Sequence, residues 1–160
     1  MRPALPELAA TYEGTRRGYE RTVRLGHGSP LWTFASTEVL RWGVKTRSGF
    51  SVESAVVDRV TPGDRYWLVA HLGPFRVHEP VEILEVVDEP RLKGFTYGTL
   101  SGHPVRGTET FLVERRPDGS VQLTIRSRTQ AAPGAWRVAY PVALLAQRFY
   151  RRRYFRALSR

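Results

Sequence analysis

The chain has no cysteine among its 160 residues. Disulfides, thiol catalysis and thiolate metal ligation are therefore excluded. No GxSxG motif is present, so a serine-hydrolase nucleophile elbow is missing as well. Long apolar runs are also absent. The stretch from Ala4 to Ala10 is broken by Pro6 and Glu7 and is too short for a signal peptide. Nothing approaches the roughly 18 apolar residues of a membrane span, and a cytoplasmic location is expected. Lysine is scarce. Of 25 basic residues only Lys45 and Lys93 are lysine, leaving 23 arginines, a ratio that genome composition can produce as well as function.

What remains is an ordinary globular composition, 41% hydrophobic with eighteen aromatics. The length suits one domain, 1–160, with 1–18 as an N-terminal extension. Such a chain buries roughly 70% of its unfolded surface without staples. The formal charge of +10 is unevenly spread. Five acids and no base lie between Glu79 and Glu89, while six arginines and no acid lie between Pro141 and Arg160. No repeat, linker or low-complexity segment is visible.

Alternation predicts strands at Glu20–Gly26, Ser51–Val60, Arg65–Leu72, Phe75–Pro90 and the segments RLKGFTYGTL, VRGTETFLVERR and SVQLTIRSRTQ. In the last of these Val121, Leu123, Ile125 and Ser127 share one face. The long strand slips phase at Ile83–Leu84, which predicts a bulge, and Pro80 predicts an edge or a bend. Turns fall at Thr61–Asp64 and Pro117–Ser120. Between the first two strands one short helix is expected, with Ser29 as N-cap, Pro30 at the first position and Gly43 at C′. Residues 131–141 read as a loop whose Trp136 and Tyr140 can serve as a cover. From Val142 to Leu158 the pattern is helical. Val142, Ala146, Phe149, Tyr150, Tyr154, Ala157 and Leu158 occupy one arc, with Arg148, Arg151, Arg152 and Arg156 opposite. Closely spaced strands pair antiparallel. The expected fold is α+β: a curved antiparallel sheet of about seven strands gripping a long C-terminal helix, with a cavity between them.

The stretch FTYGTLSGHP, followed by a glycine and TETF, carries a resemblance. So do GHGSPLWTFASTEVLRWG, HLGPFRVHEPVEILEVVDEP and AQRFYRRRYFRAL. From about Tyr19 to Leu158 the chain resembles the bacterial and plant family called domain of unknown function nineteen-ninety. That family is grouped with the START-like, polyketide-cyclase-like superfamily. The resemblance implies a helix-grip fold and, as in many members, an apolar small molecule held in the central cavity. Some members are cyclases or hydrolases. Members commonly show two acids after the glycine that follows HP; here only Glu109 stands there.

Three functions compete. The first is a binder of a small apolar or aromatic molecule lined by Trp42, Trp67, Phe95, Tyr97, Phe111 and Phe149. The second is an enzyme using Glu109 with His103 and Tyr97. Glu109 shares strand parity with Phe111 and Val113, and a half-buried carboxylate can act as acid or base. Against it stands a structural hairpin in which Gly98, Gly102 and Gly107 permit tight turns, His103 and Pro104 fix the loop, and Glu109 pairs with an arginine. The third is a nucleic-acid or polyanion binder through Arg148, Arg151, Arg152 and Arg156. No cofactor is expected. His71, His78, His103 and Glu109 lack a zinc-ligand spacing, so no metal is expected either. GHGS is read as a turn and helix start rather than an anion site.

Overall fold

The computed structural model describes residues 17–53, 58–101, 103, 105–131, 134 and 136–159. The chain runs β1 (Arg17–His27), α1 (Ser29–Val39), α2 (Gly43–Thr46), β2 (Phe50–Glu53), β3 (Arg65–Leu72), β4 (Phe75–Asp88), β5 (Leu92–Thr99), β6 (Val105–Arg115), β7 (Ser120–Ala131) and α3 (Trp136–Ala157). The seven strands form one sheet in the order β1-β7-β6-β5-β4-β3-β2, and every pairing is antiparallel. Register shifts between Arg24 and Gly26 and between Ile83 and Glu85 bend it. The second is the bulge that the sequence places at Ile83–Leu84. The sheet's inner face, carrying Leu68, Ile83, Phe95, Phe111, Val113, Leu123 and Ile125, packs against α1, α2 and the C-terminal part of α3. This is the expected helix-grip architecture.

Several boundaries differ from expectation. Pro80 is on neither edge, since β4 lies between β3 and β5. A strand residue's N and O point the same way, and the Pro80 carbonyl accepts from Leu100 just past the end of β5. The missing N–H thus falls where that ladder stops, which makes proline tolerable there. The second strand ends at Glu53. Residues 54–57 lie outside the described residues, and 58–60 are not strand. The segment read as a loop at 131–141 becomes helix from Trp136, with Pro141 in its second turn. Its positions 132, 133 and 135 are outside the described residues, as are Gly102 and Pro104.

The first helix also changes. Gly28, not Ser29, is the N-cap, and Ser29 Oγ instead accepts from Arg115 at 3.0 Å. The helix stops at Val39 because Trp42 takes the left-handed conformation, φ 65°. For a bulky residue this costs roughly 1–2 kcal/mol. The Trp42 ring, 1% exposed, lies 5.5, 4.8 and 5.3 Å from the rings of Tyr66, Phe95 and Tyr97. Aromatic pairs contribute about 0.5–1.5 kcal/mol each, so the packing outweighs the strain. Gly43 is required by crowding, not as the left-handed C′ residue: a Cβ there would sit 2.6 Å from the Glu38 carbonyl oxygen. The turn at Trp42–Gly43 starts α2 and drives its third residue, Lys45, into the interior.

Candidate functional site

Between the sheet and α3 lies a pocket of about 180 Å³. Its walls are mostly apolar, from Phe50 of β2, Ala70 and Leu72 of β3, Val77 of β4, Val105 of β6 and Ala139, Val142, Ala143 and Ala146 of α3. Its floor is polar and built from four elements. Lys45 of α2 is 3% exposed. Its Nζ donates to the Tyr154 hydroxyl oxygen at 2.8 Å and lies 3.3 Å from Glu109 Oε1. Tyr97 of β5 donates to the same Oε1 at 3.0 Å. The rings of Phe50, Tyr154 and Tyr97 surround the ammonium at 4.3, 4.8 and 5.5 Å from their centroids, a cation–π box.

Strand pairing sets this up. Tyr97 and Glu109 are direct cross-strand partners on the inner face, and Glu109 faces Ser127 on its other side. The β6 alternation buries Glu109 with Phe111 and Val113, as their shared parity implies. His103, at the β5–β6 turn, is also buried. Its Nδ1 accepts the Val105 N–H at 2.9 Å, which leaves Nε2 as the donor facing Glu79 Oε2 at 3.4 Å.

The electrostatics follow from burial. Burial, then the Glu109 charge, holds the Tyr97 phenol well above its usual range. Burial does the same to Tyr154, with Glu109 and Glu79 adding to it. Both remain proton donors at any ordinary pH. Burial pushes the Glu79 carboxyl up, but the hydrogen bond and field of His103, with Lys45 behind them, outweigh burial and lower it.

Among the other residues named from sequence, Tyr97 lines the pocket. Trp42, Phe95 and Phe111 are buried in the core and do not line it. Trp67 and Phe149 point outward, 49% and 51% exposed. Arg148, Arg152 and Arg156 are exposed, but Arg151 is turned inward. It lines the pocket, donates to Ser127 Oγ at 2.9 Å and stacks 3.7 Å from the Tyr19 ring centroid. His71 bonds Ser51 Oγ and His78 faces Glu53, so the histidines are dispersed. Among the described residues no group of three or more His, Asp and Glu is placed to hold a metal ion. GHGS docks on the β6–β7 hairpin: His27 Nε2 bonds the Asp118 carbonyl at 2.7 Å and Gly28 donates to that of Gly119.

Lys45, Glu79 and Gln147 were not legible as site residues. Gln147 lines the pocket, and its Oε1 and the Arg151 Nε are buried without a hydrogen-bond partner among the described residues. The one available signal for Lys45 was its rarity as a lysine.

Among solved structures, a hypothetical protein of Helicobacter pylori aligns with a TM-score of 0.54 at 12% identity, over 89% of this chain and 86% of that one. Truncated norcoclaurine synthase of Thalictrum flavum aligns at 0.52 and 12%, over 88% and 91%. Ara h 8.0201 aligns at 0.51 and 15%, over 90% and 99%. These likenesses concern the fold. A UPF0548 protein of Deinococcus radiodurans is 34% identical over 166 residues, covering 94% of this chain and 80% of that protein. The family model described as domain of unknown function (DUF1990) matches residues 5–157, and the chain belongs to that family.

Proposed function

We propose that the protein binds a small, mainly apolar molecule in the pocket between the sheet and α3, oriented by the polar floor. The observation that carries this reading is the pairing of apolar walls with a few convergent polar groups, the usual make-up of a small-molecule site. Size narrows the class. A cavity of ~150 Å³ in a protein core admits benzene, so about 180 Å³ fits a one-ring molecule better than a sterol or a long acyl chain. Native mass spectrometry of protein from its own host, before and after denaturation, tests it. A defined extra mass lost on unfolding is expected, and Ala146→Trp, which fills the pocket from α3, abolishes it. A folded Ala146→Trp variant that keeps the same extra mass would refute the reading.

A second reading, an acid–base enzyme, is supported by Glu109 lying inward at the pocket floor within hydrogen-bond distance of Tyr97. His103, the other candidate, engages Glu79 instead.

A further inference from the structure

We infer that Lys45 is an imine-forming nucleophile and that the pocket's ligand carries an aldehyde or ketone. This rests on the pocket being a small-molecule site and names the class of molecule it takes. The chain uses arginine at 23 of its 25 basic positions. Lys93 is a partly exposed partner of Asp88. Lys45 is the other exception, and it stands at the pocket floor. Arginine holds a positive charge as well as lysine does, and forks more strongly onto a carboxylate. What arginine cannot do is give up its proton and attack carbon. At all its other basic positions except the surface ion pair of Lys93, this chain writes arginine.

The neighbours of Nζ have the needed roles. Glu109 Oε1, at 3.3 Å, is a base within reach of the ammonium proton. The Tyr154 hydroxyl accepts from Nζ at 2.8 Å and keeps its own proton to donate, with no acceptor for it among the described residues. Tyr97 anchors Glu109 at 3.0 Å. A nucleophile, an adjacent base and an orienting third group make up the activated-nucleophile arrangement.

The step balances. Glu109 takes one proton from the Lys45 ammonium, leaving a neutral amine and a carboxylic acid. The amine lone pair attacks the carbonyl carbon, the C=O π pair moves to oxygen, and Tyr154 hydrogen-bonds that oxygen. A proton passes from nitrogen to oxygen and gives the carbinolamine. Glu109 returns its proton to the hydroxyl, the C–O bond breaks, water leaves, and the nitrogen lone pair closes the C=N⁺ bond. Glu109 ends as the carboxylate it began as, and the charge stays on nitrogen.

Benzaldehyde, a one-ring carbonyl compound, is the probe, with sodium cyanoborohydride to trap the imine as a stable benzyl amine. Intact mass and peptide mapping locate the label, and Lys93 is the internal control. The expected result is a single benzyl group on Lys45, formed well ahead of any on Lys93. Glu109→Gln slows labelling about hundredfold, the low end for acid–base assistance. Lys93→Arg leaves it unchanged, and Lys45→Met, checked for folding by thermal melting, removes it. The decisive readout is the peptide map of the unmutated protein, so it does not depend on any variant folding. Benzyl alcohol, with the ring but no carbonyl, is followed in parallel by ligand-observed NMR. Binding of benzyl alcohol that Ala146→Trp abolishes, with Lys45 labelled no faster than Lys93, overturns the amine role and leaves the pocket reading standing. Neither binding nor preferential labelling overturns both.

Discussion

The two halves of α3 treat their apolar residues in opposite ways. In the C-terminal half Tyr150, Tyr154 and Ala157 are buried, as is Leu158 just past the helix end. That half is also tied down: Tyr150 donates to the His71 carbonyl, Arg151 to Ser127 and Arg153 to the Ser48 carbonyl. In the N-terminal half Val138, Val142 and Leu145 are exposed. Only small residues there, Ala139, Ala143 and Ala146, turn with Val142 toward the pocket, and Pro141 removes an internal hydrogen bond. One half anchors the grip and the other roofs the pocket. An amphipathic wheel does not separate these roles, because periodicity reports which residues share a side and not how closely the sheet approaches that side.

The largest effect expected from breaking this contrast comes from truncation. Leu158→Ala removes a fully buried side chain and costs about 3 kcal/mol in denaturant unfolding, whereas Leu145→Ala in the roof changes stability by less than about 0.5 kcal/mol. Equal losses would dissolve the distinction. Glu109→Ala acts where the anchor meets the floor. It strips the Lys45 ammonium of its buried carboxylate and costs about 3 kcal/mol by the same measurement. Amide hydrogen exchange sharpens the contrast without mutation: residues 150–157 are expected to exchange at least about tenfold more slowly than 138–146.

The smallest effect is a pH dependence beneath the roof. The Glu79 pKa is lowered from its ordinary 4.5 on folding. The folded state therefore binds fewer protons there than the unfolded state, and Glu79 stabilises the fold above about pH 4.5. That contribution fades as pH falls through the lower folded value. The difference in melting temperature between the unmutated protein and Glu79→Gln should accordingly shrink as the pH falls below about 4.5. A difference that grew in acid would reverse the sign.

Much of the sheet was readable because period-2 patterns need only parity. Val121, Leu123, Ile125 and Ser127 are all buried as the alternation in β7 implies, and the same logic put Glu109 inside. Parity would also have turned Trp67 outward, opposite to Tyr66 and Leu68, had its aromatic character not been read as a pocket lining. Lys45 escaped because α2 is a four-residue turn with no period of its own, aimed by the left-handed Trp42 before it. Pocket residues contributed by short irregular segments have directions that only tertiary structure fixes.

The sheet order also has a kinetic meaning. Among the described residues β1, the first strand, pairs only with β7, the last, so that Arg17 lies against Thr129. That end of the sheet cannot form until more than a hundred intervening residues are in place. Such remote pairing is slow, and it leaves an unpaired strand waiting while the rest of the sheet assembles. β1 waits as RGYERTVRLGH, with Arg17, Glu20, Arg21 and Arg24 spread along it. Charges of this kind discourage a solitary strand from pairing with its neighbours in solution. The arginines of β1 thus guard the chain during the interval before its two ends meet.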